Sequence, residues 1–135
     1  MADTKHHICR VGTARIDYRG QARHLVLDTT IKSGAGLGKV FAPTWKMVMQ
    51  SKQGEISWDE YRDQYTDLMR QRYAANTAAF LEALSSDELI VCCYCSDTHV
   101  TTRHCHRYLL VDILEKIAKH YGIGFEYVGE VHNSR

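Results

Sequence analysis

The sequence is poor in the features that mark membrane-spanning, secreted and disordered chains. It has a single proline and no low-complexity run in 135 residues, and 44% of its residues are hydrophobic against 24% that are charged, as in ordinary globular domains. No apolar run is long enough to cross a bilayer, and the first residues lack the basic start and apolar core of a signal peptide. We therefore expect no membrane partner and a cytoplasmic location.

An excess of one charge is absent too. Lys and Arg number 17 against 16 Asp and Glu residues, which gives a formal net charge of +1. No segment clusters basic side chains in the way that a duplex-binding face does. We therefore expect no duplex nucleic acid as a partner. The composition does not set the oligomeric state, and a homodimer is among the states that it allows.

Helices and strands alternate in the second half of the chain. A long amphipathic helix is predicted from about Arg103 to Tyr121, with Gly122 placed to end it in left-handed geometry. It separates two predicted strands, and the order strand, helix, strand implies a right-handed parallel crossover. We predict one α/β domain over residues 1–135, with its core at about 6–131. Its sheet is mainly parallel or mixed, with about four strands and helices packed on it. The strand candidates are residues 6–11, 23–31, 89–95 and, with clean alternation, 125–131.

Local signals place further helices and leave one strand pairing open. Ser57 to Glu60 have the sequence of a capping box, and Pro43 fits the first turn of a short helix. Asn76 either begins another helix or lies within a continuous one. Asp17 to Gln21 have the composition of a turn, so the first two strands either form a hairpin or run separately.

A glycine-rich segment from Gly34 to Gly38 follows the second predicted strand and suggests a phosphate-binding loop. That motif needs a glycine where Ser33 stands and a hydroxyl where Val40 stands. The mismatches favour a flexible connection, or a lid over a site formed elsewhere. The sequence assigns no further role to this segment.

Four of the five cysteines lie between Cys92 and Cys105. Three of them fall within one predicted strand, where neighbouring thiols point to opposite faces and pair poorly. Cys93 and Cys95 share one face, and Cys92 takes the other. We interpret Cys92 and Cys93 mainly as buried strand core. The cluster as a whole is interpreted as reduced thiols, metal ligands or a catalytic thiol.

Chemistry is predicted at the loop and helix start that follow this strand. In α/β sheets, ligands bind beyond the carboxyl ends of the strands, and a helix N-terminus favours both an anion and a thiolate. Cys105 is therefore the candidate catalytic thiolate, with His106 as its acid/base partner. Arg103 and Arg107 are the candidates for binding an anionic ligand.

The alternative is a metal site, because cysteine and histidine are the ligands that zinc prefers. Cys95, Cys105 and His99 are the candidate zinc ligands. A Cys-x-Cys pair on an extended strand spaces its sulfurs too widely for one ion unless the strand bends. Our first expectation is that no cofactor is bound, with zinc as the alternative.

The same stretch is similar to a known family. Ile90 to Cys95, followed by Cys105 to Leu110, resembles the apolar-strand, cysteine and Cys-His-Arg helix signature of DUF488, a domain family of unknown function that includes the YeaO-like proteins. Further similarities occur in the same order over Ile8 to Leu114. They are Leu27-Asp28, Phe41 to Thr44, and Ser57 to Tyr61 with Tyr65.

The resemblance implies a compact α/β domain with a pocket between the Asp28 strand end and the Cys-His-Arg helix. Lys32 stands close to Asp28 as a further candidate ligand contact. The family name carries no reaction. Our hypothesis is an enzyme acting on a small phosphorylated or otherwise anionic, nucleotide-like substrate. The alternative is a non-catalytic module that binds a metal or a small ligand with the same Cys/His cluster.

Overall fold

A parallel sheet forms the centre of the computed structural model, which describes residues 7–20, 23–31, 34, 36–93 and 105–132. Its strands lie in the order β2-β3-β1-β4, and every neighbouring pair is parallel. This confirms the predicted α/β class. It also excludes the hairpin alternative, because β3 lies between the first two strands. The strands are β1 (Ile8–Arg15), β2 (Leu25–Asp28), β3 (Glu88–Cys93) and β4 (Gly124–Glu130).

Five helices accompany these strands in the described part of the chain. They are α1 (Gly36–Lys39), α2 (Trp45–Lys52), α3 (Trp58–Ala75), α4 (Thr77–Leu84) and α5 (His106–Tyr121). None of the described helices is long and apolar enough to cross a membrane.

Short polar side chains set the helix ends. The predicted capping box is present, since Ser57 Oγ accepts from Glu60 N at 3.1 Å and Glu60 Oε1 accepts from Ser57 N at 2.9 Å. Asn76 ends α3 and caps α4, so these helices are separate. Thr44 caps α2, which places Pro43 before the cap and corrects the prediction of a proline in the first turn. Gly122 ends α5 at a φ of 70°, as predicted.

The helices cover one face of the sheet. Leu89 and Val91 of β3 belong to the main core, which also contains buried residues of α2 to α5. Ile90 and Cys92 lie in a smaller cluster with Ala14 on the opposite face. This alternation confirms the predicted faces of β3. The strand is buried on both sides, as expected of a central parallel strand.

β4 departs from the clean alternation predicted for it. Tyr127 pairs with Val11 and Gly129 pairs with Gly12, so Val128 is an extra residue in the strand. Gly129 has a φ of 97°, a conformation that glycine adopts readily. Such a β-bulge shifts all later side chains to the other face of the sheet. Glu130 therefore pairs with Thr13 and lies on the face that carries the helices.

Candidate functional site

Two cysteine sulfurs meet where β3 ends and α5 begins. Cys93 is the last residue of β3 and Cys105 is the N-cap of α5. Their Sγ atoms lie 2.6 Å apart, and the two residues are 1% and 2% exposed. The two sulfurs are thus in direct contact where the strand ends and the helix begins.

Arg107 connects this pair to the sheet. Its side chain is fully buried, with Nη1 donating to Cys93 Sγ at 3.1 Å and Nη2 donating to Glu130 Oε2 at 2.8 Å. Burial lowers the pKa of Arg107, but the neighbouring Cys93 and Glu130 outweigh this and the net direction is upward. Nε is buried and has no hydrogen-bond partner among the described residues. The guanidinium is therefore a permanent cation in contact with the Cys93 sulfur.

His106 is held as a neutral ring behind the cysteines. Burial, together with the charge of Arg107, lowers its pKa from 6.5 to about 4, although the hydrogen bond to the Thr29 carbonyl oxygen acts in the opposite direction. Nε2 lies 3.0 Å from Thr29 O and 3.0 Å from Thr29 Oγ1, whose own proton goes to Cys92 O. Nε2 must then be the protonated nitrogen, because a carbonyl oxygen only accepts. Nδ1 keeps a lone pair and can accept a proton or bind a metal.

The buried His106 ring makes stability depend on pH. The ring stays neutral in the folded chain down to about pH 4, whereas in the unfolded chain it binds a proton below 6.5. The unfolded state thus gains protons first as the pH falls, and we expect the free energy of unfolding to be about 2 kcal/mol lower at about pH 5 than at about pH 8. Urea titrations at the two pH values measure this. His106→Gln should lack that part of the loss, and an equal loss in the variant would contradict the assignment.

Glu130 is a site residue that the sequence did not reveal. Its carboxylate accepts from Arg107 Nη2 and, through Oε1, from Tyr108 Oη at 2.9 Å and Thr13 Oγ1 at 2.7 Å. Thr13 Oγ1 also lies 2.7 Å from Tyr127 Oη. A carboxylate at the end of a predicted strand beside Gly129 is the signal that could have found it, because glycine within a strand indicates a bulge.

Asp28 lies at the carboxyl end of β2, at the same edge of the sheet. Its Oδ1 accepts from Thr30 N at 3.0 Å and from Thr30 Oγ1 at 2.7 Å, which makes a compact turn. The backbone of α1 passes close to this strand end. A Cβ added to Gly38 would lie only 2.4 Å from Asp28 O. The glycine-rich segment thus packs on the Asp28 turn, and its glycine at position 38 is required by that close approach.

The remaining predicted site residues, Lys32, Cys95, His99 and Arg103, lie outside the described residues. The described residues do contain one group that could hold a metal ion, formed by Cys93, Cys105 and His106, with ligand atoms within 4.8 Å of one another. Cys105 and His106 are the predicted catalytic pair. Both are buried, and both lie close to Cys93 in this group.

Comparison with known proteins places the chain in a family. The model of DUF488-N3a, described as the active DUF488-N3 subclade, matches residues 2–118. The chain belongs to DUF488-N3a. This confirms the DUF488 resemblance. The DUF488-N3a match includes Asp28, Cys93, Cys105 and Arg107 and ends before β4, so it does not include Glu130. No curated protein and no solved structure matches the chain.

Proposed function

We propose that this DUF488-N3a protein is a cysteine-dependent enzyme that acts on a small anionic substrate at the start of α5. The observation that carries the proposal is the contact of Cys93 Sγ with Cys105 Sγ at 2.6 Å and with Arg107 Nη1 at 3.1 Å. A guanidinium beside a sulfur favours the thiolate, which is the reactive form of cysteine. Cys105 is the N-cap of α5, so its side chain adjoins the helix N-terminus, where an anion is favoured.

Two features support an anionic substrate. The Cys105 side chain makes no capping hydrogen bond, which leaves N–H groups of the first turn of α5 for another acceptor. Arg107 Nε is a buried donor that no described residue satisfies. Phosphate and carboxylate oxygens accept hydrogen bonds from both kinds of donor. Arg103 is proposed as a further contact to the anion, with Asp28 and Lys32 facing the two arginines. The nucleotide-like character of the substrate rests on the family resemblance alone.

Selective alkylation tests this proposal. Full-length protein is reduced, treated with iodoacetamide near neutral pH, and the modified peptides are quantified over time. Burial raises the pKa of Cys92 to about 12 and that of Cys9 to about 11, so these thiols serve as internal controls. We expect Cys93 or Cys105 to react at least about tenfold faster than either control. Equal rates at all four positions would overturn the proposal.

Protection by ligands tests the anionic part separately. Inorganic phosphate and adenosine monophosphate are added at millimolar concentration before the iodoacetamide, with sodium chloride of the same ionic strength as the control. We expect at least one of the two anions to slow modification of the cysteine pair without changing the rate at Cys9. If the cysteine pair is reactive and neither anion lowers its modification rate, the proposal of cysteine-dependent chemistry is retained and the proposal of an anionic substrate is wrong.

A metal-binding module is the second candidate, favoured by the cluster of Cys93, Cys105 and His106. Two cysteines and one histidine form a zinc site with an open fourth position. The Nε2 contact with Thr29 would orient the His106 ring, as is usual for metal-bound histidines. Metal analysis of protein purified without chelators separates the two functions. Stoichiometric zinc that is lost in Cys105→Ala would replace the proposal of a cysteine-dependent enzyme.

A further inference from the structure

We infer that Glu130 is a positioning residue for the proposed cysteine chemistry, acting on Cys93 through Arg107. This inference rests on the proposed function and adds a residue beyond the part of the chain that the family model matches. Glu130 contacts neither sulfur in the hydrogen bonds described. Its carboxylate is joined to Cys93 by a single intervening group, the Arg107 guanidinium.

The guanidinium transmits position because it is planar and rigid. When Nη2 is fixed on Glu130 Oε2 at 2.8 Å, the direction of Nη1 is fixed as well, and Nη1 donates to Cys93 Sγ at 3.1 Å. The Glu130 side chain is only 17% exposed, and that of Arg107 is not exposed at all. Water therefore competes little for these hydrogen bonds, and the geometry is set by the protein.

The Glu130 carboxylate is itself fixed from two other elements. Tyr108 of α5 and Thr13 of β1 both donate to Oε1, which leaves Oε2 directed at Arg107. Tyr127 of β4 contacts the same Thr13 hydroxyl. A carboxylate that accepts from two hydroxyl groups and is paired with a buried arginine has the arrangement of a support for a functional side chain.

The bulge in β4 makes this contact possible. If regular pairing continued after Tyr127, Glu130 would stand opposite Ala14 and on the face away from the helices. With the bulge it stands opposite Thr13 and on the same face as Cys93. Bulges are frequent beside active sites, where they redirect a side chain.

Three variants test the inference, with the rate of iodoacetamide modification of Cys93 in reduced full-length protein as the readout. We expect Glu130→Ala to lower the modification rate of Cys93 by at least about tenfold relative to that of Cys92, a cysteine that is buried to the same extent. Glu130→Asp, whose carboxylate is drawn back from Arg107, should slow it by about fivefold. Glu130→Gln keeps an oxygen that can accept from Arg107 and should restore the rate to within about threefold of the natural chain.

Glu126→Ala is the matched control, since Glu126 lies on the same strand and pairs with Arg10 at 3.3 Å, where both side chains are more than half exposed. It should leave the modification rate of Cys93 within about twofold of the natural chain. If Glu130→Ala does not fold, the comparison of Glu130→Asp with Glu126→Ala decides. A natural Cys93 rate in folded Glu130→Ala or Glu130→Asp, or an equal slowing in Glu126→Ala, would overturn the inference. If Cys93 and Cys105 of the natural chain are modified no faster than Cys92, the result contradicts the proposed function rather than the role of Glu130.

Discussion

Replacement of Arg107 by methionine is expected to lower the free energy of unfolding by about 3–4 kcal/mol. Arg107 is fully buried and donates hydrogen bonds to Glu130 and to Cys93. Methionine fills much of the space of the alkyl stem but leaves the partly buried Glu130 carboxylate without its cation. Removal of one partner of such a pair costs far more than the pair itself contributes, because the other charge stays desolvated.

Chemical denaturation of the two proteins measures this loss. Arg70→Met is the matched control, because Arg70 pairs with Asp67 at 3.1 Å on the surface, where the two side chains are 75% and 66% exposed. We expect the control to change the free energy of unfolding by about 0.5 kcal/mol or less. Losses of equal size in the two variants would contradict a structural role for the buried pair.

Arg107→Met also bears on the proposed chemistry. With the guanidinium gone, the modification rate of Cys93 should fall to that of Cys92 in any protein that remains folded at low temperature. Arg107→Lys keeps the charge but not the two-pronged geometry, and should give an intermediate rate. A natural Cys93 rate in folded Arg107→Met would show that the arginine serves stability alone.

Replacement of Gly38 by alanine is expected to cost about 3 kcal/mol, because the new Cβ has no room. It would lie 2.4 Å from Asp28 O and 3.0 Å from both the carbonyl carbon and the nitrogen of the same residue. These are backbone atoms of β2, so relief requires α1 to move away from the strand end. We therefore expect the Asp28 turn to be disturbed along with overall stability.

Gly36→Ala is the control within the same short helix. Its φ of 56° strains an alanine, yet its Cβ would meet nothing within 4 Å. We expect a loss of about 1 kcal/mol there, from backbone conformation alone. Thermal or chemical unfolding of the two variants makes the comparison. If the Gly38→Ala variant is at least as stable as the Gly36→Ala variant, the approach of α1 to Asp28 is not tight.

Much of the architecture could be predicted because its signals are local. The capping box at Ser57, the glycine after α5 and the continuous apolar run of β3 each specify a helix end or a buried strand within a few residues. The crossover rule then placed the carboxyl end of β3 beside the start of α5. The rule predicts chemistry at Cys105 and the start of α5, but not the contact of Cys93 with Cys105.

The parts that escaped prediction depend on contacts distant in sequence. The sequence predicts that Arg107 binds an anion, but it does not predict that Cys93 and Glu130 engage two of its nitrogens. Regular alternation over 125–131 would put Glu130 on the opposite face, but one bulge reverses the pattern, and the sequence marks this bulge only by Gly129. Cys93 was interpreted mainly as core, and it is indeed buried, but its partners come from α5. No local pattern reports such partners.

The strand order also constrains how the chain can fold. β1 is not paired with β2 in the sheet, and its two neighbours are β3 and β4, which come much later in the described part of the chain. Arg10 of β1, for example, pairs with Glu88 of β3, which is far along the chain. Ordering a strand against partners so far along the chain costs loop-closure entropy before any pairing is gained, which slows folding. The residues of β1 that are buried in the folded chain thus stay unpaired until β3 has been synthesised. During that time, chaperones or early packing of helices can cover them.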